Sequence, residues 1–237
     1  MELRVSIRKK LKYFDLDIAF SCPDKELLAM IGPSGSGKTT VIRMIAGLGR
    51  PDEGRISYGD EVWFDSAQRI NVSPQKRRLG YVFQDYTLFP HLTLRENAAF
   101  AAGDRKQADD LLDLFGISHL RDRKPNNVSG GERQRCAICQ ALARNPRVLL
   151  LDEPFSALDF MTRRKLREDI KLLRDKATFP IAYVTHDIQE ALSLADGILP
   201  VVEGKVDKGW LQRTLSSLPA TGVPARAVRA PRLALAL

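Results

Sequence analysis

The chain has 237 residues, 37 Lys and Arg against 29 Asp and Glu, a formal net charge of +8 and 44% hydrophobic residues. That composition describes an ordinary globular protein and excludes a collagen-like, low-complexity or mainly disordered chain. The densest apolar stretches, 148–151 and 198–202, fall far short of the ~20 residues a membrane helix needs.

The first residues alternate apolar and polar side chains (Leu3, Val5, Ile7, then Phe14, Leu16, Ile18, Phe20), which predicts two strands with a turn near 8–12. The start has no apolar core and no small-residue cleavage site, so no secretory signal is expected. Residues 27–31, LLAMI, are a continuous apolar run, as in a strand buried on both faces. A glycine-rich turn over 32–37 leads into a helix with Val41, Ile42, Ile45 and Leu48 on one stripe. Gly59-Asp60 between two alternating runs predicts a hairpin, and 79–83 a further strand. From about Asp85 to Asn145 the pattern turns helical, in three amphipathic segments separated by turn residues. Strand 148–152, helix 161–176 (Leu166, Ile170 and Leu173 inward), strand 181–185, helix 188–195 and a final strand at 198–202 follow. Strands alternating with helices predict an α/β fold whose mainly parallel sheet is covered on both faces.

Much of the positive charge lies late. Residues 205–237 hold Lys205, Lys208, Arg213, Arg226, Arg229 and Arg232 against one acid, Asp207. The body of the chain is close to balanced, so nucleic acid is not expected as a partner. Beyond Leu218 the chain is rich in Pro, Ala and Arg and is expected to be poorly ordered, or to bring its arginines to anionic lipid. Cys136 and Cys139 form a CxxC that could suggest a redox pair or half a zinc site. They lie within an expected helix with no paired ligands elsewhere, which favours packing residues.

Three signals carry chemistry. Gly32-Pro33-Ser34-Gly35-Ser36-Gly37-Lys38-Thr39, followed by Thr40, fits GxxxxGK[ST] between a strand and a helix. Its backbone amides would cradle phosphates, Lys38 would reach the β- and γ-phosphates, and Thr39 would be a Mg²⁺ ligand. Asp152 and Glu153 end the buried strand LLLD. The first acid would orient Mg²⁺ through its water shell, and the second could polarise a water for attack on the γ-phosphate. Ser129, Gly130, Gly131 and Glu132 stand at a helix start, which suits a second anion-binding cap.

With Gln84, Ser156-Ala-Leu-Asp159 and His186 in the matching order, these motifs make the chain resemble the ATP-binding subunit of an ABC (ATP-binding cassette) transporter, from about Glu2 to Gly209. The resemblance implies a P-loop NTPase fold with an N-terminal antiparallel β subdomain and an inserted helical subdomain. It places the RecA-like core at 1–84 and 146–209, the helical signature subdomain at 85–145, and a tail at 210–237. It further implies ATP and Mg²⁺ as cofactors and a homodimer in which Ser129–Glu132 face the partner's ATP and Asp159 crosses the interface. Gln84 would contact Mg²⁺ and the attacking water, Glu153 would be the base, and His186 would contact the γ-phosphate. An adenine-stacking aromatic is implied near the N-terminus, where Tyr13 and Phe14 are both candidates.

Within the family the sequence is most similar to the molybdate importer ATPases, through stretches 73–97 and 116–135. The implied partners are two membrane-spanning permease subunits and, indirectly, a periplasmic solute-binding protein. The implied place is the cytoplasmic face of the bacterial inner membrane. Val128 and Glu132 stand where the wider family often has Leu and Gln. Molybdate-type subunits usually continue into an oxyanion-binding regulatory domain; about 30 residues follow the core here, too few to fold one alone, which puts substrate-linked inhibition through it in doubt. The alternatives are an importer ATPase for sulfate, iron or sugar, an exporter cassette, and a soluble ABC-type ATPase acting on nucleic acid or ribosomes. Stretch 84–97 is importer-like, and the balanced body weighs against the last.

Overall fold

The computed structural model describes residues 1–217, apart from 86, 101, 103 and 157, and the backbone of residues 232–233. Strand β1 (Glu2–Lys10) pairs antiparallel with β2 (Asp15–Pro23), Val5 opposite Phe20 and Ile7 opposite Ile18. The two-residue period puts Leu3, Val5, Ile7, Leu16, Ile18 and Phe20 on one buried face. After β3 (Leu27–Ile31) and α1 (Lys38–Ala46) comes the antiparallel ribbon β4 (Glu53–Tyr58), β5 (Glu61–Asp65) and β6 (Ile70–Asn71), with β4 on the free side of β1. Strand β7 (Leu79–Val82) returns to the parallel region. Three helices follow, α2 (Leu94–Ala99), α3 (Arg105–Leu114) and α4 (Gly130–Leu142). The chain continues through β8 (Val148–Asp152), α5 (Phe160–Lys176), β9 (Ile181–Thr185), α6 (Ile188–Leu194), β10 (Gly197–Val202), β11 (Lys205–Val206), α7 (Lys208–Ser216) and β12 (Arg232–Leu233).

The sheet runs β6-β5-β4-β1-β2-β11-β10-β3-β9-β8-β7, with β12 paired to β10. Strands β10, β3, β9, β8 and β7 are parallel, and β11 joins them to the antiparallel half. Alternate residues serve opposite faces. Leu28, Met30, Val148, Leu150, Ala182 and Val184 pack with Val41, Ile42 and Ile45 of α1. Leu27, Ala29, Ile31, Leu149, Leu151 and Tyr183 pack with Ile138, Leu166, Ile170 and Ala191 from α4, α5 and α6. Leu94, Ala98, Ala108 and Leu112 of the helical block run into that second cluster.

Several details depart from the sequence expectations. Leu48 is 43% exposed, because Gly47 takes a left-handed conformation (φ 80°) and α1 ends at Ala46, two residues before it. The strand at 197–202 is not the last, since β11 and β12 follow it. Residues 210–216 belong to α7, with Leu211 buried, rather than to a tail. Of the residues beyond Ser217, only the backbone of 232–233 is described, paired with Gly197 and Ile198. Expectations for the order of the tail, and for Arg226 and Arg229, therefore fall outside the described residues. Cys136 and Cys139 are buried, donating to Leu94 O and Leu111 O. Burial pushes the Cys136 thiol up to about 12, so both behave as small core side chains.

Arg77 is fully buried between the antiparallel ribbon and α1. Its guanidinium donates to Met44 O (2.8 Å) and Ile45 O (2.7 Å) at the end of α1, to Val72 O (2.9 Å) and to Asn71 Oδ1 (3.3 Å). A cation there satisfies helix-end carbonyls and meets the negative end of the helix dipole. Burial lowers its pKa to about 10, which leaves it charged at neutral pH. Arg77→Met keeps much of the stem but strips donors from buried carbonyls. It should lower the unfolding free energy by about 2–4 kcal/mol, read as a fall of several degrees in Tm without loss of secondary structure.

Candidate functional site

The loop from Gly32 to Gly37 joins the end of β3 to α1. Gly32 has φ 150°, and a Cβ there would lie 1.9 Å from Val201 O, so only glycine lets β10 approach so closely. Gly35 (φ 78°) and Gly37 (φ 99°) supply the left-handed turns. Helix α1 starts without a side-chain cap, so its first amides remain available as donors toward an anion. The Lys38 ammonium is buried and donates to Gly32 O (2.9 Å), Pro33 O (2.7 Å) and Ser36 Oγ (3.3 Å). Burial pulls its pKa below the usual lysine range, while Glu153 and Asp152 pull it back up.

Asp152 is 2% exposed, at the carboxyl end of β8. Thr39 Oγ1 donates to its Oδ1 (2.9 Å) and Tyr81 Oη to its Oδ2 (3.0 Å). A hydroxyl beside a carboxylate oxygen is a hard donor pair of the kind that Mg²⁺ takes from protein, phosphates and water completing the shell. Among the described residues there is no cluster of three or more His, Cys, Asp or Glu for a softer metal.

Glu153 has a left-handed backbone (φ 46°), unusual for a residue before proline, and its amide donates to Val184 O at 3.2 Å. That conformation turns its carboxylate towards β9, where Oε2 lies 3.5 Å from Nδ1 of His186. Leu11, Tyr13, Phe14, residues 34–40, Gln84, Glu153 and His186 line one cleft of about 520 Å³. The phosphate loop, Gln84, Glu153 and His186 are thus brought together. Of the two aromatic candidates, Phe14 packs against Gly204 and Gly37, where an added Cβ would lie 2.7 and 3.4 Å from its ring. Tyr13 is 83% exposed, with the Lys12 ammonium 5.0 Å from its ring centroid.

Ser129, Gly130, Gly131 and Glu132 are not in that cleft. They open α4, where Glu132 N–H donates to Ser129 Oγ (3.4 Å) and Ser129 N–H donates to Glu132 Oε2 (2.7 Å), a reciprocal cap. Burial raises the Glu132 pKa, but the bonds from Ser129 outweigh it and hold the carboxyl below its usual range. Asp159 caps α5 through the amides of Met161 and Thr162, both 3.0 Å, and the bonds from Thr162 hold its pKa low. Ala157, between Ser156 and Asp159, is not among the described residues. The two helix starts touch: a Cβ on Gly131 would lie 2.0 Å from Thr162 Cγ2. An ion pair from Arg135 to Asp169 (2.7 Å) continues the α4–α5 contact.

Two partners were not anticipated. In the sequence Tyr81 is only part of an expected strand, and its link to Asp152 depends on strand register. Glu190 is buried and accepts a bond from Thr185 Oγ1 (2.9 Å) beside Arg163 (3.7 Å). Burial raises its pKa. Its spacing of four residues after His186, on a helix start, was the available signal.

A glycine-rich phosphate loop between a central parallel strand and a helix, with acids at the end of a neighbouring strand, defines a P-loop nucleotide-binding protein. The sequence profile of the ABC transporter family matches residues 16–156, and the chain belongs to that family. It is 46% identical over 210 residues to the molybdenum import ATP-binding protein ModC of Rhodospirillum rubrum, covering 86% of this chain and 56% of that one. It is 43% identical over 223 residues to the sulfate/thiosulfate import ATP-binding protein CysA of Mesorhizobium japonicum, covering 88% and 63%. The chain thus spans little more than half the length of these relatives. Among solved structures, a dimeric post-hydrolysis state of the ATP-binding cassette MJ0796 bound to ADP and Pi is 30% identical, with a TM-score of 0.72 and coverage of 88% and 97%. The ADP conformation of the cassette MJ1267 shares the fold at 23% identity, with a TM-score of 0.77 and coverage of 94% and 98%.

Gly131→Ala should destabilise the chain by about 1–3 kcal/mol through overpacking at Thr162. Thr162→Ser removes the opposing methyl, so the double variant should recover most of the lost Tm. If the two effects simply add, the α4–α5 contact is not what demands glycine.

Proposed function

We propose that the chain is the ATP-hydrolysing subunit of a bacterial import system, working as a dimer on two membrane subunits. The carrying observation is a single cleft lined by the phosphate loop, Thr39, Gln84, Glu153 and His186, with the buried Asp152 bonded to Thr39 at its wall. In this reading the loop amides, the α1 N-terminus and Lys38 hold the β- and γ-phosphates. Tyr13 stacks on the adenine. Thr39 and Asp152, with Gln84 at the rim, hold Mg²⁺, which supplies positive charge against the phosphate oxygens. Glu153 accepts a proton from the attacking water as the new O–P bond forms and the bond to ADP breaks. His186 contacts the γ-phosphate.

Ser129–Glu132 lie outside the cleft of their own chain, which supports a site completed by a second copy, with Asp159 at the interface. A second cleft of about 670 Å³ beside β7, lined by Phe83 and Phe89 among others, supports docking of a membrane-subunit segment next to Gln84. No helix among the described residues is long and apolar enough to cross a membrane. In this reading the membrane subunits hold the chain peripherally at the cytoplasmic face. Molybdate or a related oxyanion is the proposed solute, on the strength of the ModC relatives. The CysA relative supports sulfate as the second reading. Deleting the gene and following uptake of radiolabelled molybdate and sulfate separates them: the uptake that falls names the solute.

Glu153→Gln should retain ATP binding but slow hydrolysis by roughly 10²–10⁴-fold, and should accumulate an ATP-bound dimer on size exclusion. Near-normal turnover would remove Glu153 from the role of base.

Ser129→Arg should abolish hydrolysis while each chain still binds ATP through its own loop. Mixed with Lys38→Ala chains, it should regain at most one working site per dimer. A wild-type rate per chain that is independent of protein concentration, from monomer to dimer, would defeat the shared site.

A further inference from the structure

Tyr81 is given no step in the chemistry above, yet its hydroxyl reaches the buried carboxylate at the centre of the site. Tyr81 lies opposite Leu150 in the parallel pairing of β7 with β8, two residues before Asp152. Two residues of strand rise about 6.6 Å, a gap that the long phenol spans to donate to Oδ2 at 3.0 Å. Thr39 holds the other oxygen. The ring meets Phe83 edge-on, with centroids 4.2 Å apart, and both residues line the cleft beside β7. One side chain therefore touches Asp152 at one end and borders the second cleft along its ring.

We propose that Tyr81 is a positioning residue for the metal–nucleotide site: its hydroxyl fixes the Asp152 carboxylate with Oδ1 toward Thr39, and its ring makes that fixation sensitive to what occupies the cleft beside β7. This rests on the ATPase reading and deepens it. The carboxylate torsion of an aspartate is soft. Two donors on opposite oxygens leave it one orientation, whereas one donor leaves it free to swing and strands a buried oxygen. Pressure on Phe83 from a docked segment would tilt the tyrosine ring and loosen the same bond.

The test is binding of a fluorescent ATP analogue to the full chain, in EDTA and across a Mg²⁺ titration. Tyr81→Phe should leave affinity in EDTA within about twofold of wild type. The Mg²⁺ concentration giving half of the metal-dependent gain should rise about tenfold, the order expected for a hydrogen bond to a charged group. Phe83→Ala, which keeps the hydroxyl but frees the ring, should give a smaller rise of about threefold. If Tyr81→Phe changes the EDTA and Mg²⁺ affinities alike, or neither, Tyr81 is a packing residue and the proposal falls. An unchanged titration in Phe83→Ala would overturn the link to the cleft. If the wild-type chain itself shows no metal-dependent nucleotide binding, the ATPase reading fails first and takes this one with it.

Discussion

The Asp152 carboxylate has two oxygens and two donors, and the shape of the cleft turns on that pairing. A buried carboxylate lacking donors is strongly disfavoured. Thr39 and Tyr81 must therefore arrive from different directions while Asp152 stays out of water. Thr39 comes from the first turn of α1, which follows β3, and Tyr81 comes from β7. The strand order β3-β9-β8-β7 puts β8 within reach of both: α1 packs across the sheet face towards β8, and β7 lies alongside. Parallel pairing then sets Tyr81 two residues back from the acid. A one-residue slip in β7 would turn the phenol to the opposite face.

The placement of α1 is itself held at both ends. At its start, Gly32 admits Val201 O to a distance that no side chain allows. At its end, the buried Arg77 gathers the Met44 and Ile45 carbonyls and ties them to the antiparallel ribbon. Between these anchors Lys38 sits in a balance, drawn towards neutrality by burial and towards its charged form by Glu153 and Asp152. One lysine against two carboxylates leaves an excess of negative charge in a cleft proposed for a polyanion. In the proposed reading a divalent cation, with the positive end of α1, would supply the compensation that the side chains alone do not.

The parts of this site that were legible in the sequence are those whose function is written in consecutive residues. The glycine loop declares itself through spacing, and Asp152–Glu153 through an apolar strand that stops at two acids. The aligned apolar residues of β1, β2, β3, β8 and β9 were readable because a buried face imposes a period. Tyr81 and Arg77 were not, since each acts on a residue 71 or 33 positions away that only strand register and ribbon packing bring close. Strands β6 and β11 are two residues each and carry no period. Helix α7 is short, and its Asp207 cap with Trp210, Leu211 and Leu215, which pack on the core, is the signal that separates it from a polar tail. Tyr13 and Phe14 were equivalent as letters; the turn that exposes one and packs the other against Gly204 separates them.

The signature segment shows what one copy of the chain leaves undone. Ser129 and Glu132 satisfy each other at the head of α4, Asp159 caps α5, and Gly131 is pressed against Thr162. These contacts fix the two helix starts against one another, yet none of these residues lines the cleft that holds Lys38 and Glu153. The Ser129 and Glu132 amides are taken up in the reciprocal cap, which leaves the Gly130 and Gly131 amides at the head of this 13-residue helix to face an anion. In the proposed sandwich that anion is the nucleotide of the second copy. The rigid α4–α5 junction then acts as a unit: a shift of one helix start carries the other with it. Closure around ATP is in that reading a rigid-body approach of preformed surfaces rather than an ordering of loose loops, which keeps the entropy lost on closing small.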